Sequence, residues 1–460
     1  MVLNQLVDGQ WLGAQIGSSS SDGIARAMSE MIATNAIVVG ARLPTVRELA
    51  IQLGTSAGTV SAAWNTLRAK GLIETRRRGG TVVSSPVPVM SSVESPVRPR
   101  SDSPDERWAT VDLSRASADP DLQPDLGEAL SAGLKVGHLH ATNKDHMIAP
   151  LRAALVATWP YQAQAWTTAG GGTEGIMHAL QAVTTPGDKV AIEDPTSPRL
   201  LGVLELLKLK AVPVKSDLQG PQVASLKSAL AKKPAVFLYQ LRAQVPTGSA
   251  LSASRRDQLA ELLKTHPDVT VIEDDHMGIL TNTPAHSMGE LLPERTVTGR
   301  GYCRAFGTDL RTSVLGGSAR IIKEIEDFRS ARVTMTSRIF QGALSFLLTD
   351  AGSVANLERT RARYAYRRQT LTKELQARGF KVEEGTGLTI WMPVKDETSA
   401  LVNLASRGVI LARGSNCCLT PAYPHLRITI SRLPDGLEEI QELADLIAEG
   451  LAQPRSEDFD

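Results

Sequence analysis

The stretch RLPTVRELAIQLGTSAGTVSAAWNTLRAKGLIETRRRGGTVV (residues 42–83) carries two apolar stripes at helical spacing, separated by a turn. Val46, Leu49, Ala50 and Leu53 fall at i, i+3, i+4 and i+7, one face of a helix. Thr45 and Glu48 form a T-x-x-E capping box at its start, and Gly54 ends it. After the turn Gly54-Thr55-Ser56 the stripe repeats at Val60, Ala63, Trp64 and Leu67, in a helix that begins near Ser56 and closes at Gly71. Two short amphipathic helices across such a turn predict a helix-turn-helix. The following LIETRRRGGTVV reads as a β-hairpin with Arg76, Arg77, Arg78 and Gly79 at its tip, which is a wing.

Charge supports a nucleic-acid face. Between residues 42 and 78 seven basic residues (Arg42, Arg47, Arg68, Lys70, Arg76, Arg77, Arg78) stand against two acidic ones (Glu48, Glu74). Local positive charge compensates phosphates, while the start of the second helix reaches base edges in the major groove. The candidate DNA contacts are Arg42, Thr45, Arg47, Ser56, Thr59, Arg76, Arg77, Arg78 and Gly79. A helical hairpin used only for dimerisation would need neither the wing nor its arginines.

The segment resembles the winged helix of GntR-type bacterial regulators, typically LPSxRxLAxxLGVSRxTVxxAYxxLxxxGL; here it reads LPTVRELAIQLGTSAGTVSAAWNTLRAKGL. One position departs: the arginine usual after the turn serine is Ala57, and the three wing arginines are expected to compensate.

Outward from this segment, 460 residues exceed one ordinary core. With 42% hydrophobic and 22% charged residues and a net charge of +1, no polyelectrolyte partner is announced globally, so a basic face must be local. Cys303, Cys417 and Cys418 form no C-x-x-C pair and are expected to be reduced thiols. The start lacks a basic segment followed by an apolar run, and no eighteen-residue apolar run occurs. A cytoplasmic, nucleoid-associated bacterial protein without membrane contact is therefore expected.

Three sections follow: a DNA-binding domain over 1–84, a Pro/Ser-rich linker over 85–107, and a large domain over 108–455. The linker has too little apolar surface to fold. In the large domain DKVAIEDP, PAVFLYQ, VTVIEDD and RTVTGRGY alternate with helical stretches such as SASRRDQLAELLKTH, predicting a parallel α/β sheet covered on both faces. From about residue 356, a charged helix (357–378) leads to a smaller α+β subdomain with strands at GLTIWMPV and HLRITISR.

TTAGGGTEGIMHAL (residues 167–180) sets three glycines before a helix, where N–H groups form an anion site. Then come PGDKVAIEDPTSP, RAQVPTGSALS, VIEDDHMG and GRGYCRAFGTDLRTSVLGG. In that order the motifs resemble the fold type I, pyridoxal-phosphate-dependent aminotransferases, and more closely the MocR subgroup of GntR regulators, which fuse a winged helix to such a domain. The resemblance implies that Gly171, Gly172 and Thr173 cradle a phosphate with Arg311, and that Asp274 meets a pyridinium nitrogen beside His276. It also implies that Arg427 grips a carboxylate, a bidentate task suited to a guanidinium.

The pattern breaks at three other positions. The family's S-x-S-K-x-x-x-P-x-L-R has its lysine seven residues before the arginine; counting back from Arg311 gives Arg304. Imine chemistry needs an amine that can lose its proton, and a guanidinium stays protonated. Val245 stands where an asparagine is usual and Ser197 where a tyrosine is usual. The resemblance thus implies a homodimeric DNA-binding regulator whose aminotransferase-like domain is not catalytic and serves dimerisation and effector sensing. Arg304 is expected to enter the vacated pocket and pair with Asp274. No covalently bound cofactor is expected. A small anion, non-covalent pyridoxal phosphate or an empty pocket remain as alternatives, as do a residual enzyme and a pure dimerisation scaffold. GHLHATNKDH (residues 137–146) gathers His138, His140 and His146, but no cysteine or carboxylate completes a usual zinc pattern, so no metal is expected.

Overall fold

A computed structural model describes residues 9–33, 37, 41–69, 72–76, 80–83, 111–137, 139–141, 146–330, 336–420 and 422–452. The chain divides into two units, Met1–Arg100 and Ser101–Asp460.

In the first unit α1 (Gly9–Ile16) and α2 (Ser21–Ala33) pack on α3 (Val46–Gln52) and α4 (Ala57–Ala69). The stripe read from the sequence is the core: Leu49, Ala50, Val60, Ala63, Trp64 and Leu67 are buried, with Leu12, Ile24 and Met28 closing it from the first two helices. The capping box forms. Glu48 N–H donates to Thr45 Oγ1 at 3.3 Å and Thr45 N–H to the Glu48 carboxylate at 2.8 Å. Gly54, at φ +60°, turns the chain where a side chain would be strained. β1 (Ile73–Arg76) and β2 (Gly80–Val83) pair antiparallel as the wing. Residues 41–43 add to it: Leu43 N–H donates to Thr81 O at 2.8 Å and Val83 N–H to Ala41 O at 2.9 Å.

In the second unit β3 (Val111–Asp112), α5 (Gly127–Gly133) and α6 (Ala149–Val156) precede the large sheet. That sheet takes β4 (Ala165–Ala169), then α7 (Gly172–Val183), β5 (Lys189–Asp194), α8 (Pro198–Leu206), β6 (Lys210–Asp217) and β7 (Gly220–Pro221). After α9 (Val223–Leu230) follow β8 (Val236–Gln240), α10 (Ala253–Lys264), β9 (Thr270–Asp275), β10 (Thr296–Gly301), α11 (Cys303–Phe306) and β11 (Ser313–Gly317). The spatial order is β4-β11-β10-β9-β8-β5-β6-β7. Helices α7, α8 and α12 (Ala319–Ser330) cover one face; α9 and α10 cover the other.

The sheet is not wholly parallel as expected. β11 runs antiparallel to β10 and β4. Residues 302–312 are too few for the crossover a parallel return requires, so the chain doubles back.

α13 (Arg338–Thr349) leads into α14 (Ala351–Ala377). The long helix starts six residues before the predicted 357, because Asp350 caps it through the Ser353 N–H at 2.8 Å. Then come β12 (Thr389–Pro393), α15 (Glu397–Ala405), β13 (Val409–Ile410), β14 (Ala412–Arg413), β15 (His425–Thr429) and α16 (Leu437–Leu451). β12, β15 and β14 form the small sheet, and β13 pairs parallel with β3. The predicted linker lies outside the described residues.

Candidate functional sites

Arg42, Thr45, Arg47 and Ser56 are exposed on the first unit and Thr59 is half-buried. Arg42 lies along the wing, its guanidinium against Gly80. Two of the hydroxyls expected as DNA contacts also bond to each other. Ser56 Oγ accepts the Thr59 N–H at 3.1 Å and lies 2.8 Å from Thr59 Oγ1. The first turn of α4 has N–H groups with no intrahelical partner, and Ser56 satisfies one of them. Thr45 is likewise the cap of α3. Arg76 ends β1, while Arg77, Arg78 and Gly79 lie outside the described residues.

In the second unit the pocket residues gather at the carboxyl ends of β4, β5 and β9 and just past β10, where open α/β sheets bind ligands. Gly171, Gly172 and Thr173 join β4 to α7. Arg311, in a left-handed backbone conformation at φ +39°, brings its guanidinium against Gly171; a Cβ there would stand 3.7 Å from it. Asp274, the last residue but one of β9, is buried. Its ion-pair partner is Arg199, near the start of α8, whose other nitrogen lies 3.4 Å from Thr173 Oγ1. Arg199 thus reaches from the acid to the glycine turn.

Arg304 sits on the single turn α11 and donates to the His276 carbonyl at 3.2 Å. It does not form the expected ion pair with Asp274. Arg199 already holds that carboxylate, and the α11 turn directs Arg304 to the backbone beyond it. Burial lowers the Arg304 guanidinium, with Arg199 and Arg427 adding to the effect and Asp274 opposing it. Burial also pushes the Asp274 carboxyl up, against the pull of Arg199 and Arg304. His276 is held well below its ordinary value by burial and by Arg304 and Arg199, so its ring is neutral; its buried Nδ1 has no hydrogen bond and lies 3.9 Å from Asp274 Oδ2.

The rim is less polar. Ser197 is buried ahead of α8, and its hydroxyl does not cap the helix. Val245 is buried too, with its backbone clamped by the Gln240 amide through two 3.1 Å bonds. Arg427, on β15, donates to the Ser114 carbonyl at 2.7 Å, just after β3.

Two family patterns cover the chain. Residues 20–83 match bacterial regulatory proteins of the gntR family, and residues 129–447 match aminotransferase class I and II. The vitamin B6 salvage pathway transcriptional repressor PtsJ of Salmonella typhimurium is 31% identical over 416 residues, spanning 89% of this chain and 93% of the relative. The chain belongs to the GntR family, in its MocR-type branch. The pyridoxine biosynthesis regulator PdxR of Corynebacterium glutamicum is 22% identical over 402 residues, 82% of this chain and 84% of the relative. The kynurenine aminotransferase of Pyrococcus horikoshii shares the fold at TM-score 0.67 and 20% identity, over 75% of this chain and 92% of that one. This MocR-type chain is accordingly a transcription regulator whose winged helix is a DNA-binding domain.

Sequence reasoning missed the arginines that organise this regulator's crevice. Arg199 was not anticipated, although a cation in the first turn of a helix opposes the helix dipole and demands a nearby acid. Arg242 and Arg300 were missed as well. Both hold Asp275, Arg242 at 2.8 and 3.0 Å and Arg300 at 2.8 Å. No cluster of three metal-ligating side chains occurs among the described residues, and His138 lies outside them. Among the described residues no helix is long and apolar enough to cross a membrane.

Proposed function

We propose that this GntR-family regulator is a cytoplasmic homodimer that binds two half-sites on duplex DNA and senses a small anion in the crevice, without a Schiff base and without aminotransferase activity. The observation that supports the reading is the gathering of Arg199 and Arg304 around one buried acid, Asp274, which Arg199 already pairs, with Arg427 close enough to repel Arg304. The surplus is cationic, and a guanidinium prefers carboxylates and phosphates.

Pyridoxal phosphate does not fit these residues as it would fit an aminotransferase. Arg304 offers no deprotonable amine where the family resemblance puts the lysine. Val245 and Ser197 lack the amide and phenol, and the Asp274 carboxylate is occupied by Arg199. Arg427 ties the small sheet to the segment just after β3. An effector carboxylate competing for it would loosen Ser114, in the first described segment after the expected linker.

A second reading, non-covalent pyridoxal phosphate sensing, draws on the names of two relatives, which regulate vitamin B6 salvage and pyridoxine biosynthesis. One experiment tests the main reading. The full chain is titrated onto promoter DNA with and without inorganic phosphate or citrate, while transaminase turnover is assayed with pyridoxal 5′-phosphate. Salt-dependent DNA binding, altered by an anion and accompanied by no turnover, is expected. Turnover, or DNA binding indifferent to every anion, overturns it.

A further inference from the structure

A pyridine ring anchored as the family resemblance implies would lie between the glycine turn, which takes its phosphate, and Asp274, which takes its nitrogen. Arg199 touches both ends of that gap: Asp274 by an ion pair and Thr173 Oγ1 at 3.4 Å. Its side chain is 22% exposed and that of Asp274 1%, so the guanidinium lies on the crevice side of the acid. His276, also buried, brings its Nδ1 to 3.9 Å from the same Asp274 oxygen that Arg199 holds, so that oxygen is crowded from two residues.

We propose that Arg199 is the residue that determines what this crevice accepts. Spanning from Asp274 to Thr173, it fills the ground of the ring and supplies the acid with its cation, so the site selects small acyclic polyanions and rejects pyridine phosphates. The proposal rests on reading the crevice as an anion-sensing site. It places the exclusion at Arg199 rather than at the lost lysine alone. Restoring a lysine at position 304 is then insufficient, because the ring cannot enter to meet it. An acyclic ligand with two acidic groups meets Arg311 at the glycine turn and Arg427, which neighbours Arg304, and leaves the Arg199–Asp274 pair intact. A charge pair that fills part of a site discriminates by what it excludes as much as by what it binds.

The test uses the full chain as wild type, Arg199→Ala, Arg304→Lys and the double variant, each mixed with pyridoxal 5′-phosphate and reduced with borohydride. Where the introduced amine attacks the aldehyde carbon, water leaves, and hydride from borohydride converts the C=N bond to a secondary amine. Peptide mass mapping reads that amine at position 304. The double variant is expected to be labelled there about tenfold more than Arg304→Lys alone, equivalent to about 1.4 kcal/mol. Equal labelling of the two, or none in either, overturns the proposal.

A second measurement needs no substitution. In the wild type, pyridoxal 5′-phosphate should raise Tm no more than inorganic phosphate does at the same concentration, since the ring adds nothing. A larger rise overturns the proposal. Failure of the anion-sensing reading shows differently: phosphate and citrate would then leave both Tm and DNA binding unmoved.

Discussion

Asp274 and Asp275 are neighbours on β9 with opposite fates. Successive side chains on a strand point to opposite faces, so Asp274 follows Ile272 toward α7, and Asp275 follows Val271 toward the α10 side. Asp275 meets two arginines with well-formed geometry. Arg300 is its parallel-register neighbour on β10 and is fully buried, stacked over Trp159 at 4.6 Å; Arg242 reaches it from the end of β8. Those two cations outweigh the cost of burial and hold the Asp275 carboxyl below its ordinary range. Asp274 is buried as deeply, yet Arg199 is partly solvated and Arg304 bonds elsewhere, so burial wins and its carboxyl is pushed up. A buried acid with its charge fully matched is part of the frame; one whose burial is not fully offset marks a candidate site.

The largest effect expected from breaking this contrast is at Arg300. Arg300→Met leaves Asp275 half-paired in the core and should cost about 3 kcal/mol or more in urea unfolding. Asp274→Asn should cost within about 1 kcal/mol, because Arg199 can recover water. Equal losses would erase the distinction.

The pH dependences should have opposite signs. Asp275 is lowered in the fold, so its stabilisation is full above the unfolded value of about 3.9 and is lost as pH falls through the folded value. Asp274 is raised, so its ionisation opposes folding as pH rises past about 3.9. The stability gap between wild type and Asp275→Asn should therefore close on acidification, while Asp274→Asn gains on wild type as pH rises. Glu193 sharpens the second case. Burial pushes it up to about 8, and the Asp274 charge adds to that. Relative to Glu193→Gln, wild type should lose stability from about pH 4.3 upward, flattening beyond the folded value. Chemical unfolding at a series of pH values reads all three.

The same contrast recurs at smaller scale in the winged helix. Thr45→Ala opens the capping box and should cost about 1 kcal/mol of domain stability. Exposed Arg47 should behave the other way. Arg47→Ala is expected to leave stability within about 0.5 kcal/mol but to weaken DNA binding and lower its salt slope by about 1. An unchanged slope would take Arg47 off the DNA face.

Much is legible in the sequence, because it depends on near neighbours in the chain. Stripes at i, i+3, i+4 and i+7 put Leu49, Val60, Trp64 and Leu67 in one core, and Thr45 with Glu48 forms its box. Strand segments at DKVAIEDP, PAVFLYQ, VTVIEDD and RTVTGRGY are strands β5, β8, β9 and β10. The antiparallel β11 escaped, because strand direction depends on how far a connection must travel, not on the strand's own residues. That Ser56 also caps the first turn of α4, accepting the Thr59 N–H, follows from the helix start rather than from the DNA face.

The sequence by itself determined the winged helix and the α/β alternation, each written in spacing of a few residues, and it put Arg304 where the family resemblance implies a lysine. Only the tertiary structure decided which acid meets which arginine. Arg199 lies 75 residues before Asp274 and Arg242 lies 33 before Asp275, and no local pattern joins them. The strand register and the two faces of one sheet made those assignments, because charge pairing in a core follows distance in space and the desolvation each group meets there.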